Sequence, residues 1–148
     1  MQEGCIHVDA NGRLFPSYER YPSTSVGGDR TTGSWKAFVD RVHAKGIAYG
    51  LHLMHGIPKI AVANKLPILD VGTGMNSSYT ADMVVSKPLC QTFIPDHWAI
   101  NASHPGSQMF YDSIVSKWAD EGIDFIYMDG VNSGDKNKTK QNLLATSA

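Results

Sequence analysis

The residue best placed for nucleophilic or acid–base chemistry is Asp129, which closes an apolar segment. The segment reads GIDFIYMDG over residues 122–130, with glycine at both ends and Asp124 as a polar interruption. Short length together with branched and aromatic side chains is typical of a buried strand in a parallel sheet. Catalytic groups of α/β folds lie at the carboxyl ends of such strands. Asp129 is therefore a candidate catalytic carboxylate; the alternative is a turn residue, because Asp-Gly is a common turn pair.

Two histidines, His52 and His55, lie within and directly after a second apolar segment, residues 47–54. Imidazoles at this spacing could ligate a metal ion. On a strand, however, residues i and i+3 face opposite sides of the sheet, and a third ligand is missing. We therefore expect no metal and no cofactor here. The alternative for His52 is a core histidine that is hydrogen-bonded to the backbone.

Side-chain alternation along the first segment divides its residues between two faces. If Asp129 faces the open end of the sheet, Tyr127 and Phe125 share its face, whereas Asp124 lies on the other. We interpret Asp124 as a structural hydrogen-bonding group at the start of the strand. Of the three tryptophans, Trp98 lies in a predicted loop and is the candidate platform for stacking on a sugar, while the other two are predicted core residues on helix faces.

One order of elements occurs twice in the chain: a helix, a glycine, an apolar strand and a polar tip. The first copy covers residues 35–55, with Ser34 as the predicted N-cap and Gly46 as the stop. The second covers residues 107–129 and has Gly122 as the stop. Two such passes predict an α/β fold in which helices cover a parallel sheet. We expect the two strands to be parallel and adjacent, or nearly so.

The segments between these passes lack a sustained period. Residues 13–33 are predicted to form a long irregular loop, and residues 59–65 a short helix. Residues 66–98 read as an elaborated loop, and residues 132–148 as a polar loop or frayed tail. A long excursion after a strand tip is how a TIM-type barrel builds its active-site face.

Composition restricts the class of partner. The chain has 148 residues with a net charge of -1, so neither nucleic acid nor an anionic membrane is an expected partner. The two cysteines, Cys5 and Cys90, leave the redox compartment open. Three N-glycosylation patterns, at Asn76, Asn101 and Asn137, lean towards a secreted or lysosomal-type protein.

A series of short motifs, taken in order, resembles the α-galactosidase (melibiase) family of glycoside hydrolases. The motifs are DANGRL (9–14), RYPS (20–23), VHAKGI (42–47), GLHLMHGIP (50–58), SHPG (103–106) and GIDFIYMD (122–129). Each is short, and the resemblance lies in their common order and spacing over roughly residues 5–131.

This resemblance implies a fragment of a (β/α)8 TIM barrel, roughly strands three and four with their helices, so that residues 1–148 are a partial catalytic domain. A complete barrel needs about 250 residues. The implied activity is retaining hydrolysis of terminal α-galactosides with Asp129 as nucleophile. His52, His55, Tyr127 and Trp98 are then expected to bind the substrate.

Three departures from the family pattern weigh against full activity. Tyr127 stands where the family has a lysine that contacts sugar hydroxyls, and Val131 stands where it has a disulfide cysteine. The family's acid/base aspartate lies on a later strand, which is expected in the remainder of the barrel in a full-length parent. The alternative function is a sugar-binding or structural remnant without catalysis.

Overall fold

The structure, a computed structural model, describes residues 6–26, 29–89, 92 and 95–129. Predictions for Cys5, Cys90, Val131, Asn137 and the tail 132–148 fall outside the described residues. The described helices are α1 (Lys36–His43), α2 (Lys59–Ala63) and α3 (Pro105–Asp120). The described strands are β1 (Ile6–Val8), β2 (Leu14–Pro16), β3 (Ser25–Val26), β4 (Asp29–Gly33), β5 (Gly50–Met54), β6 (Ile57–Pro58), β7 (Pro67–Asp70), β8 (Met75–Thr80), β9 (His97–Trp98) and β10 (Phe125–Asp129).

Strands β5 and β10 are parallel and directly paired, as the repeated helix–glycine–strand order predicts. The register sets Gly50 opposite Phe125 and Met54 opposite Asp129. Both strands are shorter than predicted, because residues 47–49 and 123–124 lead into them without being part of the strands. Each strand follows a helix, so this part of the chain consists of two αβ passes, as in a segment of a parallel barrel.

The helix ends agree with the stop signals in the sequence. Gly46 and Gly122 have φ values of 72° and 87°, in the left-handed region where glycine ends a helix at low cost. At the start of α1, the N-cap residue is Trp35 rather than the predicted Ser34, although the Ser34 hydroxyl accepts a hydrogen bond from the Lys36 amide at 3.1 Å. At the start of α3, His104 Nδ1 accepts from the Gly106 amide at 3.1 Å, a cap that the sequence pattern does not indicate.

Two segments predicted to be irregular contain strands, and this part of the prediction was wrong. Residues 13–33 include β2 and the antiparallel pair β3–β4, while residues 66–98 include the β7–β8 hairpin. The hairpin turn is closed by Asp70, whose Oδ1 accepts from the Gly72 amide at 2.9 Å. Strand β8 reads MNSSYT, so its mostly polar side chains hid it from a search for apolar alternation.

The core lies between α1, α3 and the inner face of the strands. Its largest members include Trp118 and Phe110, at 2% and 1% exposure, and Trp35, at 8%; the two tryptophans were predicted core residues. Strand β10 contributes only one face to this core, through Ile126 and Met128. The other face is open, which corrects the prediction of a fully buried strand. Over the described residues, no helix has the length and apolar character needed to cross a membrane.

Candidate functional site

Asp129, His52 and Tyr127 meet at the carboxyl end of the β5–β10 pair. Tyr127 lies opposite His52 in the register, and the two rings stack with centroids 5.4 Å apart and planes at 23°. His52 Nε2 is 3.1 Å from Asp129 Oδ2, a distance at which the ring N–H donates to the carboxylate. The side chains of His52 and Asp129 are 37% and 50% exposed, so the pair is accessible from solvent.

The alternation of side chains along β10 explains why Tyr127 and Asp129 share a face. Residues Phe125, Tyr127 and Asp129 are exposed, while the residues between them are half-buried. The prediction that Phe125 and Tyr127 share the face of Asp129 is therefore confirmed. Asp129 can accept hydrogen bonds and attack an electrophile on the open side, while the inner face holds the strand in place.

His55 lies behind the strand tip rather than on the open face. Its backbone amide donates to the Asp129 carbonyl at 3.2 Å, which extends the parallel ladder by one bond. The imidazole is 5% exposed, and its Nδ1 has no hydrogen-bond partner among the described residues. Burial lowers the pKa of His55, while the Asp129 backbone carbonyl and carboxylate act in the opposite direction. The ring is therefore neutral near pH 7.

Trp98 lies in strand β9 rather than in a loop, opposite Ile57 of β6. Its ring is half-buried, and the Lys59 ammonium lies 4.3 Å from the ring centroid in a cation–π contact. One face of the indole is thus engaged by a cation, which limits the stacking surface that the sequence assigned to it.

Asp124 has the structural role predicted for it. Its Oδ2 accepts from the Tyr49 amide at 2.7 Å and lies 2.8 Å from His43 Nε2. These contacts join the starts of β5 and β10 to the end of α1, at the opposite end of the strands from Asp129.

Sequence reasoning missed two residues beside the strand tip, Gly56 and Tyr111. The Tyr111 hydroxyl accepts from the Gly56 amide at 3.0 Å. Nothing in the local sequence pattern around Tyr111 reveals a hydroxyl partner 55 residues away. The part of the chain that the structure describes contains no group of three or more His, Cys, Asp or Glu side chains able to hold a metal ion.

Comparison with solved structures finds neighbours that are glycoside hydrolases. No protein-family model and no curated protein matches the chain. Among solved structures, a candidate α-N-acetylgalactosaminidase from Bacillus halodurans C-125 matches with a TM-score of 0.76 and 27% identity over 96% of this chain. A GH27 β-L-arabinopyranosidase from Geobacillus stearothermophilus matches with a TM-score of 0.75 and 26% identity over 95% of this chain. An aspartate-to-alanine variant of that enzyme, in complex with arabinose, gives 0.73 and 26% over 95%.

The match covers 33% of the Bacillus chain and 31% of each Geobacillus chain. This chain therefore spans about a third of the length of the enzymes it resembles. The match includes nearly all of this chain but only about a third of each enzyme, as is expected for a segment of a larger barrel. The chain is similar in fold and in sequence to part of the GH27 glycoside hydrolases.

Proposed function

We propose that the chain is part of the catalytic barrel of a retaining glycoside hydrolase, with Asp129 as its nucleophile. The observation that carries the proposal is the accessible Asp129 carboxylate at the tip of a parallel strand, held 3.1 Å from His52 Nε2. Its setting, a chain similar to GH27 glycosidases, supports the same reaction class. Strand tips hold side chains more rigidly than loops do, and this suits a nucleophile that must attack one carbon atom.

In the proposed reaction, an Asp129 oxygen attacks the anomeric carbon while the glycosidic bond breaks. A second carboxyl group protonates the leaving oxygen and then removes a proton from the water that releases the sugar. In retaining enzymes the two carboxyl groups lie about 5 Å apart. We propose that the second group comes from the remainder of the barrel. His52 would orient the Asp129 carboxylate, and Tyr127, which is 62% exposed, would present a ring and a hydroxyl to the sugar.

The proposed substrates are galacto-configured pyranosides, of which α-galactosides are the first candidate. The neighbours are named for α-N-acetylgalactosaminide and β-L-arabinopyranoside chemistry. An α-N-acetylgalactosaminide is an α-galactoside with an acetamido group at carbon 2, and a β-L-arabinopyranoside is the same ring without the hydroxymethyl group. All of these substrates share the axial hydroxyl at carbon 4 and the configuration of the scissile bond. The shared pyranose ring therefore defines the proposed substrate class, and the substituents on the ring distinguish the individual substrates within it.

The test uses this chain extended by the rest of a GH27-type barrel, assayed on nitrophenyl glycosides of the three sugars. Asp129→Ala is expected to lower turnover by orders of magnitude, as for other covalent catalysts, and azide to restore part of the rate as a glycosyl azide product. A 5-fluorogalactosyl fluoride should add one sugar to the peptide that contains Asp129, because the anomeric fluoride leaves readily while the ring fluorine slows hydrolysis of the glycosyl–enzyme. Asp120→Ala, at an exposed carboxylate in α3, is the matched control and should keep full activity. Unchanged turnover in Asp129→Ala would leave Asp129 as a turn residue.

The second candidate is a sugar-binding remnant without catalysis. It is favoured by one observation, the exposed Tyr127 ring stacked on His52 at the position where the resembled family has lysine. A remnant would bind galactose in a calorimetric titration yet show neither turnover nor labelling. Tyr127→Lys separates the two functions, because it should raise turnover in an enzyme and only weaken binding in a remnant.

A further inference from the structure

The turn that follows β5 has a backbone geometry that depends on glycine. Gly56 has φ of 102°, and a Cβ there would lie 2.7 Å from both Thr92 Cγ2 and the Trp98 carbonyl oxygen. A side chain is thus excluded both by conformation and by space. The turn begins directly after His55, whose amide donates to the Asp129 carbonyl. Its geometry therefore reaches the tip of β10 through one hydrogen bond.

Tyr111 is the group that holds this turn from the helix side. It is 2% exposed, lies in α3, and accepts the Gly56 amide at 3.0 Å. Consecutive amides, those of His55 and Gly56, are therefore bound by the Asp129 carbonyl and the Tyr111 hydroxyl. Burial raises the pKa of Tyr111 to about 12, so the hydroxyl stays protonated and neutral. A phenylalanine would fill the same space and leave the Gly56 amide without this acceptor.

We propose that Tyr111 is a positioning residue for Asp129: its hydroxyl fixes the His55–Gly56 turn, and the turn fixes the strand tip that carries the carboxylate. The importance of this placement for catalysis rests on the proposed function, but the mechanical link itself does not. Helix α3 leads directly into β10, so Tyr111 also ties the tip of the neighbouring strand β5 to the element that delivers Asp129.

The mechanical link is tested on the chain itself by amide hydrogen exchange with Tyr111→Phe. Loss of one buried acceptor is expected to speed exchange at the His55 amide by about tenfold. The Ile114 amide, in the middle of α3, reports global unfolding and should change much less. Phe110→Leu, at a core residue 1% exposed in the same helix, is the matched control and should affect both amides in proportion.

A second variant changes the glycine of the turn itself. Gly56→Ala introduces the excluded Cβ and is expected to reproduce the selective change at His55. If Gly56→Ala does not fold, Tyr111→Phe alone decides. Exchange at His55 that stays at the wild-type rate in Tyr111→Phe, or rises only in step with Ile114, would overturn the proposal and leave Tyr111 as an ordinary core residue.

The effect of Tyr111→Phe on catalysis is measured in the chain extended by the rest of the barrel. A displaced nucleophile is expected to lower kcat by about tenfold or more at unchanged KM, since small misplacements of reacting groups are costly. The hydrogen-exchange experiment and the kinetic experiment can each fail independently of the other. Selective exchange at His55 without any glycosidase activity would refute the proposed function and keep the link. Activity with a kcat that Tyr111→Phe leaves unchanged would refute the positioning role.

Discussion

His43 Nε2 lies 2.8 Å from Asp124 Oδ2 at the amino-terminal ends of β5 and β10, opposite to the end that carries Asp129. The same carboxylate oxygen accepts from the Tyr49 amide at 2.7 Å. One aspartate therefore joins the end of α1 to the starts of both parallel strands. The contacts of Asp124 therefore join three elements at one end of the strand pair, while at the other end the half-exposed Asp129 carboxylate contacts His52.

We expect Asp124→Asn to destabilise the chain in a pH-dependent way. The Tyr49 amide, and then the His43 ring, lower the pKa of Asp124 from its ordinary value of 3.8. For an acid with a lowered folded pKa, the stabilisation is present above pH 3.8 and is lost as the pH falls through the lowered value. Urea unfolding from neutral to strongly acidic pH should show a difference between wild type and variant that shrinks within that window. A difference independent of pH would contradict this expectation.

The parallel strand pair was predictable because its signals are local. Gly46 and Gly122 end helices by their own backbone conformation, and the apolar run before Asp129 needs no distant partner to be recognised. Alternation along that run also placed Phe125 and Tyr127 on the face of Asp129, and all three residues are exposed in the structure.

The side-chain contacts that anchor the β7–β8 hairpin and the turn at Gly56 were not predictable, because they join residues far apart in the sequence. The Asn11 side chain donates to the Pro67 carbonyl at 3.2 Å and to Asn76 Oδ1 at 2.7 Å, across more than fifty residues. The Tyr111–Gly56 hydrogen bond is of the same kind. A polar side chain in a sequence carries no sign of which distant amide it will meet, so such contacts appear only once the chain is folded.

A second pH effect is expected nearer neutrality, from the buried rings of His55 and His97. Burial is the main cause that lowers the pKa of each from the ordinary 6.5. Neighbouring groups act in both directions. Asp129 raises the pKa of His55, and Asp96 raises the pKa of His97, whereas Lys59 lowers the pKa of His97. Below pH 6.5 the unfolded chain binds protons that the folded chain excludes, so stability falls as the pH falls.

The double variant His55→Asn, His97→Asn checks this origin. It should flatten the dependence of the free energy of unfolding on pH just below 6.5, whatever its stability at neutral pH. Asp124→Asn serves as the control because its window lies near pH 3.8. A slope below pH 6.5 that persists in the double variant would assign the effect to other groups.

Removing the Glu121 carboxylate should be among the costliest single changes. Its Oε1 accepts from Lys117 Nζ at 2.9 Å, its Oε2 accepts from the Trp35 amide at 3.3 Å, and the Glu121 and Lys117 side chains are 9% and 18% exposed. Glu121→Ala leaves a largely buried cation and a buried amide without their acceptors, at a cost of about 3–5 kcal/mol. In the exposed Lys36–Asp40 pair, Asp40→Ala should cost about 0–1 kcal/mol. If urea unfolding gave equal losses of stability for Glu121→Ala and Asp40→Ala, burial would not determine the cost of removing the carboxylate.

Gly106→Ala is expected to destabilise the chain even though alanine favours helices. A Cβ at this position in the first turn of α3 would lie 2.9 Å from Val84 Cγ1 and 3.0 Å from Tyr79 Cβ. Such overpacking costs about 1–3 kcal/mol, more than the helix propensity gained at a helix end. Gly72→Ala is the control, because its Cβ would meet only Asp70 Oδ1, at 3.3 Å. Its midpoint in thermal unfolding should stay near that of the wild type, and a matching shift in both variants would contradict the packing argument.

On the open face of β10, Phe125 and Tyr127 are 58% and 62% exposed. Within the described residues this strand is paired on one side, with β5. An unpaired edge beside exposed aromatic rings favours association with another chain. We expect the isolated 148-residue chain to associate reversibly as its concentration rises in sedimentation velocity experiments.

The variant Phe125→Thr, Tyr127→Thr keeps strand propensity and removes the aromatic surface, so it should weaken this association. Met75→Thr, at a residue 66% exposed on the β7–β8 hairpin, is the matched control and should leave association unchanged. Extension by the rest of the barrel should abolish it, because barrel closure pairs the strand edges and covers the same face. A chain that sediments as a monomer at every concentration would contradict this expectation and show that the aromatic face of β10 does not drive association.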